Sequence, residues 1–357
     1  MLRSLLFRLA RLGALLLLLV GLLTLAFPTQ ATHIRAGDIQ SKIDTTANFN
    51  PRRVFFRLTL YCRDPASGVP PQPTAAIFFG DGTCDLNVPQ STNVLLQPDV
   101  RRYTYEFEHT YGAPSPAGRP YVVSFIGENR NAGIRNMSNS VNQSFYISTT
   151  VTIDPALLQN RSPVLRRPAI DNAVIGQVFQ HNPAAYDADG DSLAYALVNS
   201  QQAGTATAVQ NCTPAPTSVP NFVLPNSPTI PGNNGLQVPF TGPPVGDPTA
   251  QTIFRIDPIT GQVVWNVPLV AGEYNFALVV KEYRRTNGFG FRLISEVIRD
   301  IQITVRANPN RRPELVIPPD LCVVAGTPVV GNVRATDPDN NPIRLAAFSG
   351  ILPPATF

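Results

Sequence analysis

The chain has 357 residues, including 36 prolines and 24 glycines, and only 15% of its residues are charged. Because each proline inside a helix costs about 3 kcal/mol, this composition excludes a helical bundle. The hydrophobic share of 43% excludes a wholly disordered chain, since it is enough to fill packed cores. Length and composition therefore predict an all-β protein of two or three domains joined by irregular connections.

Residues 1–31 have the three parts of a secretory signal peptide. The basic residues of this segment are Arg3, Arg8 and Arg11. An apolar run, Leu12–Phe27, follows them, and Ala31 supplies a small residue before a cleavage site at Thr32. An uncleaved membrane anchor is the alternative, although the run is slightly shorter than the roughly 18 to 20 residues that span a bilayer. We expect a secreted or cell-surface protein whose mature chain starts at Thr32.

Four cysteines are present, at positions 62, 84, 212 and 322. In an exported chain an even number of cysteines favours disulfides. Cys62 ends the strand-like run Val54–Tyr61, and Cys84 follows a Gly-Asp-Gly turn, so we expect both to lie at the ends of neighbouring strands. The sequence thus predicts a Cys62–Cys84 disulfide and leaves Cys212 and Cys322 without a predicted partner. A zinc site is not expected, because no C-x-x-C spacing occurs.

Hydrophobic residues alternate with a period of two along most of the chain, as in half-buried strands. Tyr103–Glu108 alternates aromatic and polar side chains. Two further apolar faces are formed by Tyr274, Phe276, Leu278 and Val280 and by Ile301, Ile303 and Val305. Residues 200–250 are rich in proline, threonine, asparagine and glycine and show little periodicity, which predicts a long insertion instead of strands.

An internal repeat indicates where the modules begin. Asn160–Leu165 reappears as Asn310–Leu315, an offset of 150 residues, with proline at the fourth position of both. The same offset aligns three further pairs: Gly176 with Gly326, Asp187 with Asp337 and Asp189 with Asp339. Two polar, proline-bearing connections, near residues 158 and 307, precede the two copies.

These patterns predict four segments. Residues 1–31 form the signal peptide, residues 32–158 a first Ig-like β-sandwich, and residues 159–307 a second sandwich that contains the insertion. Residues 308–357 form the start of a third, truncated module, because they are far fewer than the roughly 100 residues of such a sandwich. We therefore expect the sequence to be a fragment of a longer protein.

The second module carries a family resemblance. Its Phe254–Trp265 segment reads FRIDPITGQVVW, a Gly-Glu-Tyr-Asn-Phe segment starts at Gly272, and an aspartate turn spans Asp187–Asp191. These segments resemble the putative-Ig and dystroglycan-type cadherin-like domains of bacterial surface proteins. The resemblance covers residues 160–307 and implies a β-sandwich with Trp265 in its core. The residues Asp257–Gly261 before that tryptophan predict a turn with the glycine at a positive φ.

The first module resembles, less closely, the polycystic-kidney-disease (PKD) type of Ig-like domain. The similar segments are Phe78–Thr83, Phe107–Tyr111 and Tyr121–Phe125. In addition, residues 31–39 look like the opening of large Bacteroidetes surface proteins, which are often associated with gliding motility. These resemblances imply tandem Ig-like modules, a surface glycan or protein as ligand, and attachment to the outer membrane through a C-terminal region.

One group of residues has the spacing of a metal site. The candidate ligands are Asp187, Asp189 and Asp191, with Asp337 and Asp339 as a weaker second set in which Asn341 takes the third position. Carboxylates on alternate positions of one turn can direct their oxygens at a hard cation, which is calcium outside the cell. The alternative is a turn whose aspartates accept hydrogen bonds from nearby backbone amides. An EF-hand is excluded, because Val198 stands where that loop needs its glutamate.

The sequence contains no catalytic motif, and we expect that the protein is not an enzyme. The sequence contains no G-x-S-x-G elbow, H-E-x-x-H pair or phosphate-binding glycine loop. Loss of the three leader arginines would lower the formal charge from +4 to about +1, so no nucleic-acid partner is expected. Two functions remain. One is a non-catalytic adhesion or motility-associated surface module, and the other is the accessory region of a larger secreted glycosidase or protease.

Overall fold

The computed structural model describes residues 33–116, 119–157, 159–240, 246–286, 290–311, 313–319, 321–324 and 326–345. The expected signal peptide lies outside these residues. The fold is all-β, as predicted, with 47% of the chain in strands and 3% in helix.

The regular elements are short and numerous. In chain order the strands are β1 (Ile34–Ile43), β2 (Arg53–Arg63), β3 (Thr74–Phe78), β4 (Cys84–Pro89), β5 (Thr92–Gln97), β6 (Val100–Thr110), β7 (Tyr121–Gly127), β8 (Phe145–Val151), β9 (Val164–Leu165), β10 (Ile170–Val174), β11 (Phe179–His181), β12 (Ala185–Tyr186), β13 (Ser192–Val198), β14 (Gln201–Gln202), β15 (Thr217–Ser218), β16 (Ile253–Ile256), β17 (Val263–Asn266), β18 (Gly272–Thr286), β19 (Gly290–Arg306), β20 (Glu314–Val316) and β21 (Arg334–Thr336). The described helices are α1 (Ala206–Gln210) and two 3-10 turns, Pro65–Ser67 and Ser140–Asn142.

Most strands belong to one curled, largely antiparallel sheet of 14 strands. Its main path runs β4-β3-β7-β8-β19-β1-β2-β6-β5. The strands attached beside this path are β10, β13, β14, β15 and β18. A three-stranded sheet, β11-β17-β16, and two short pairs, β9–β12 and β20–β21, complete the architecture.

Strands on both sides of the predicted boundary near residue 158 pair with one another. β1 runs antiparallel to β19, with Gly37 opposite Asp300, and β8 pairs with β19 at Thr149 and Val297. The described residues accordingly belong to one unit by their contacts. The division into two sandwiches stays a prediction, and the two segments share one sheet.

Two main apolar cores follow the two segments. The first is built from β1 to β4 and β6 to β8 and includes Phe56 and Phe125, both buried. The second surrounds Trp265, which is fully buried and meets Phe254 and Tyr274 edge to face, as the sequence predicts. Buried aromatic rings in this arrangement contribute about 0.5–1.5 kcal/mol per pair beyond their area. The predicted faces of β6, β18 and β19 all point into these cores.

The turn before Trp265 also has the predicted form. The Asp257 carboxylate accepts hydrogen bonds from the amides of Ile259 and Thr260, at 2.9 and 2.7 Å. The amide of Gly261 donates to the Asp257 carbonyl at 3.0 Å, and its φ is +72°. A glycine adopts this left-handed conformation without steric cost, so the turn can direct β17 back along β16.

Two ion pairs are buried where the segments meet. The Arg299 guanidinium donates to the Asp38 carboxylate at 2.6 Å and to the Leu165 carbonyl at 3.1 Å. On the opposite face of β19, Arg130 donates to both oxygens of Asp300, at 3.0 and 3.1 Å. All four charged side chains are at most 1% exposed. Because removing one partner leaves an uncompensated buried charge, these pairs tie the segments together.

A disulfide is present, but its partners differ from those predicted. It joins Cys84 to Cys212, while Cys62 is a buried thiol and Cys322 an exposed one. The predicted Cys62–Cys84 pairing is wrong, since five strands lie between β2 and β4 in the sheet order. Cys62 also lies within β2 and points into the first core, where burial raises the pKa of its thiol to about 12. Cys84 instead ties an edge strand to the proline-rich insertion.

The insertion has little regular structure, as predicted. Between residues 200 and 250 the structure describes only β14, α1, β15 and isolated bridges. The segment nevertheless packs onto the protein, because Val219, Ile230 and Phe240 are each at most 5% exposed. Its cysteine therefore anchors a segment that is already partly buried.

The internal repeat reappears in the strand register. In the first copy β9 pairs with β12, with Leu165 opposite Ala185. In the second copy β20 pairs with β21, with Leu315 opposite Ala335, which is the same register shifted by the same offset. Burial differs, since Leu165 is 5% exposed and Leu315 is 54% exposed. The strands β16 to β19, which cover the first copy, have no counterpart over the described residues of the second.

Candidate metal centre

The aspartate turn lies between β12 and β13. The Oδ1 atom of Asp187 accepts hydrogen bonds from the amides of Asp189 and Asp191, at 2.9 and 2.8 Å. These bonds bend the chain so that the three side chains converge, and they are the local bonds that an aspartate-rich turn is expected to form. The Oδ2 atom of Asp187 is buried and has no hydrogen-bond partner among the described residues.

Two arginines hold the other aspartates. Arg161 donates through Nε and Nη2 to Asp189, at 2.9 and 2.7 Å, and its amide donates to the same carboxylate at 2.8 Å. Arg284 donates through Nε and Nη2 to Asp191, at 3.0 and 2.5 Å. Arg284 also donates to the side-chain oxygen of Asn160 at 2.6 Å. The start of the repeat and strand β18 thus orient the turn from two sides.

A fourth carboxylate comes from β18. One oxygen each from Asp187, Asp189, Asp191 and Glu282 lie within 4.8 Å of one another, and these four residues are called the acidic cluster below. Glu282 is fully buried, and its Oε2 atom accepts hydrogen bonds from Ser295 and from Asn160, the latter at 3.0 Å. Its Oε1 atom has no hydrogen-bond partner among the described residues.

The cluster is short of positive charge. Four carboxylates face two guanidinium groups, so two negative charges are uncompensated when every acid is ionised. Burial, with the neighbouring carboxylates, raises the pKa of Glu282 to about 9. Burial likewise raises the pKa of Asp187. Such groups accept either protons or a cation, and oxygen-only ligands suit hard divalent cations. The acidic cluster could therefore hold a metal ion.

The second predicted set forms the same turn without the fourth acid. Asp337 Oδ1 accepts from the amides of Asp339 and Asn341, at 2.8 and 3.1 Å. Arg311 donates through Nε to Asp339 at 2.9 Å, as Arg161 does to Asp189. Among the described residues, no third acidic, histidine or cysteine ligand joins Asp337 and Asp339. A metal there stays a prediction.

Glu282 was not among the ligands predicted from the sequence, although a signal was present. The residue follows Tyr274, Phe276, Leu278 and Val280 in the same alternation, so it occupies an apolar face of β18. A carboxylate in phase with a buried face is unusual unless it is paired. Its distance of 91 residues from Asp191 concealed the connection.

The histidines lie outside this centre. His109 stacks on Phe79 with ring centroids 4.0 Å apart, and its Nε2 lies 2.7 Å from Asp81. His181 is buried, and its Nδ1 lies 3.0 Å from Asp171. Both contacts hold loops or strand ends of the sheets, which is a structural role.

No family model matches the chain, and no curated protein or solved structure is significantly similar to it. Within the part of the chain that the structure describes, no helix is long and apolar enough to cross a membrane. The acidic cluster and the resemblances in the sequence are therefore the two observations that bear on function.

Proposed function

We propose that the chain is a non-catalytic module of an exported surface protein, that it serves adhesion, and that calcium stiffens it at the acidic cluster. The calcium site is supported by one observation above all. Two carboxylate oxygens, Asp187 Oδ2 and Glu282 Oε1, are buried without a partner in a cluster that is two positive charges short. Calcium takes six to eight oxygens in flexible geometry, and the turn offers carboxylates to which carbonyls and water can be added.

The position of the cluster explains what the cation would do. Glu282 belongs to β18, the aspartates to the turn before β13, and Arg161 and Asn160 to the segment where the repeat begins. A cation at this point would link the Asn160–Arg161 connection, which joins residues 32–158 to residues 159–307, to the long strand β18. The adhesion role, with its link to gliding motility, rests on the resemblance to bacterial surface proteins.

The test is a calcium titration of the mature chain, starting at Thr32. Isothermal titration calorimetry should give one site, with a Kd on the order of 10⁻⁴ M, as is common outside the cell. Millimolar calcium would then add about 1.4 kcal/mol of stability, which raises Tm by a few degrees relative to chelator.

Two variants and two controls sharpen this test. Glu282→Gln and Asp187→Asn should each remove the calcium-induced rise in Tm. Asp337→Asn, in the second copy, and Glu296→Gln, a half-buried acid on β19 paired with Lys281, should keep it. Identical melting curves in calcium and in chelator, together with no heat of binding, would show that the cluster is a turn held by its arginines.

A further inference from the structure

A groove lies beside the acidic cluster. It has a volume of about 720 Å³, within the range of about 300–1,000 Å³ that is usual for small-molecule sites. Its floor is the outer face of β1, β2 and β6, and its wall includes Arg161, Val164 and Ala188. The amide of Ser41 donates to Ser162 Oγ at 2.8 Å, and the amide of Ser162 donates to the Ser41 carbonyl at 2.9 Å. Wall and floor are therefore held together.

Side chains on the floor form two rows across the strands. In the first row Phe55 lies between Lys42 and Glu108 in the strand register. Among the described residues, neither Lys42 nor Glu108 has a side-chain hydrogen bond or ion pair. An aromatic ring is thus flanked by a free donor and a free acceptor.

The second row lies two residues along each strand, or about 7 Å away. It consists of Gln40, Arg57 and Glu106 in register. Arg57 donates to Glu106 at 2.7 Å, and more than half of each of these two side chains is exposed. The row therefore presents an amide, a guanidinium and a carboxylate side by side.

These features select the class of ligand. The positive charge of Arg57 is balanced by Glu106, and that of Arg161 by Asp189. Lys42 faces Glu108 across the first row. Because these charges balance, the groove attracts neither polyanions nor polycations. On the floor of the groove a peptide cannot add as a strand to β2, which pairs with β1 and β6 along its length, or to β1 at Ser41, which is bonded to Ser162. The free edge of β6 lies on its side away from β2, beyond the last β5 pair at Thr104. A ligand that fits carries hydroxyl groups, which both donate and accept, and apolar C–H faces that pack on an aromatic ring.

We propose that this groove binds a neutral oligosaccharide, with Phe55 as the stacking platform and Lys42 and Glu108 as the groups that hydrogen-bond its hydroxyls. This inference rests on the proposed adhesion function and supplies its ligand class. Arg53 lies over the Phe55 ring, 5.3 Å from its centroid, and helps to hold the ring in place.

The experiment measures binding of the mature chain to four neutral hexasaccharides: cellohexaose, maltohexaose, laminarihexaose and N-acetylchitohexaose. Calorimetry and chemical-shift mapping should detect at least one of them, with shifts at β1, β2 and β6. Phe55→Ala should weaken that binding by about tenfold or more, since a central aromatic contact usually contributes at least that factor. Phe291→Ala removes a ring that is 63% exposed outside the groove and should leave binding unchanged.

Several results would overturn the inference. These are no binding of any neutral hexasaccharide at millimolar concentration, equal binding by Phe55→Ala and the wild type, or binding of polygalacturonate alone. Unchanged Tm values in Phe55→Ala and Lys42→Met show that loss of binding is not loss of folding. A calcium-induced rise in Tm without saccharide binding overturns this inference alone, whereas saccharide binding without a calcium response overturns only the calcium site.

Discussion

Residues 160–195 and 310–345 fold into the same turn but are covered differently. In both copies an arginine after the opening asparagine clasps the second aspartate, and the first aspartate accepts two backbone amides. In the first copy the strand residue Leu165 is buried under β18 and β19, whereas its counterpart Leu315 is exposed. The hydrogen bonds of the turn therefore join residues within each copy, about 30 residues apart at most. Burial of the strand leucine requires strands from elsewhere in the chain.

The difference extends to the candidate metal centre. The first copy receives Glu282 and Arg284 from β18, and the second copy has Asn341 bound to Asn310 at 2.6 Å in the corresponding place. A turn with the same backbone thus belongs to a four-carboxylate cluster that could hold a metal ion in one context, and lacks the fourth acid in the other. The neighbouring strand decides between them.

The largest expected effect comes from removing the arginine that holds the first copy. Arg299→Ala should lower the free energy of unfolding by about 3–5 kcal/mol, because Asp38 would remain buried without its partner. Urea denaturation, followed by tryptophan fluorescence of Trp265, measures the loss. If the variant fails to fold, Arg299→Lys, which keeps the charge, should be folded but less stable than the wild type. A loss below about 1 kcal/mol in Arg299→Ala would contradict the argument.

A matched pair of leucines tests burial directly. Leu165→Ala should cost about 2–3 kcal/mol, since it opens a cavity in the second core. Leu315→Ala should change stability by no more than about 0.5 kcal/mol, because its side chain is already exposed. Equal losses at the two positions in urea denaturation would mean that the second copy is as well covered as the first.

The pH dependence of stability that each copy contributes should also differ. The pKa of Glu282 is raised from 4.5 to about 9, so the folded chain keeps a proton that the unfolded chain has lost. In chelator, stability should therefore fall as the pH rises from about 5 to 9. Glu282→Gln should flatten this slope. An unchanged slope in that variant would assign the dependence to another group.

In the second copy the sign is reversed. Hydrogen bonds from Arg311 hold the pKa of Asp339 below its usual value, so its contribution is lost only as the pH falls into the acid range. Asp339→Asn should accordingly leave the slope above pH 5 unchanged, which makes it the control for Glu282→Gln.

The smallest difference between the copies is expected where their contacts are alike. Arg161→Ala and Arg311→Ala each remove an exposed ion pair with the same geometry, and each should cost less than about 1 kcal/mol. Hydrogen exchange of the Asp189 and Asp339 amides, measured by NMR, should rise in the respective variant. A much larger loss in only one of them would show that the two turns are not equivalent.

The sequence alone was enough for local features. Alternation located β6, β18 and β19, the Asp257–Gly261 turn has the predicted conformation, and the offset of the repeat is preserved in the register of β9–β12 and β20–β21. Features that join distant segments were not predictable in this way. The partner of Cys84 lies 128 residues away, in a segment without periodicity.

The shared sheet and the fourth acid, Glu282, were not predicted, for the same reason. Pairing of β1 with β19 depends on the packing of two cores, and no local sequence pattern in either strand identifies its partner. Glu282 could have been found only by asking why a carboxylate continues the buried face of β18. Long-range pairing follows from the whole arrangement of apolar faces, which a linear pattern does not contain.

The antiparallel contact of β1 with β19 has a mechanical consequence. β1 begins at Ile34 and β19 ends at Arg306, and with Gly37 opposite Asp300 these two ends lie at the same side of the sheet. A pulling force on the two flanking chain ends would separate β1 from β19 at the pairing of Gly37 with Asp300. The next resistance is the buried Asp38–Arg299 ion pair, so the two strands would separate in two steps.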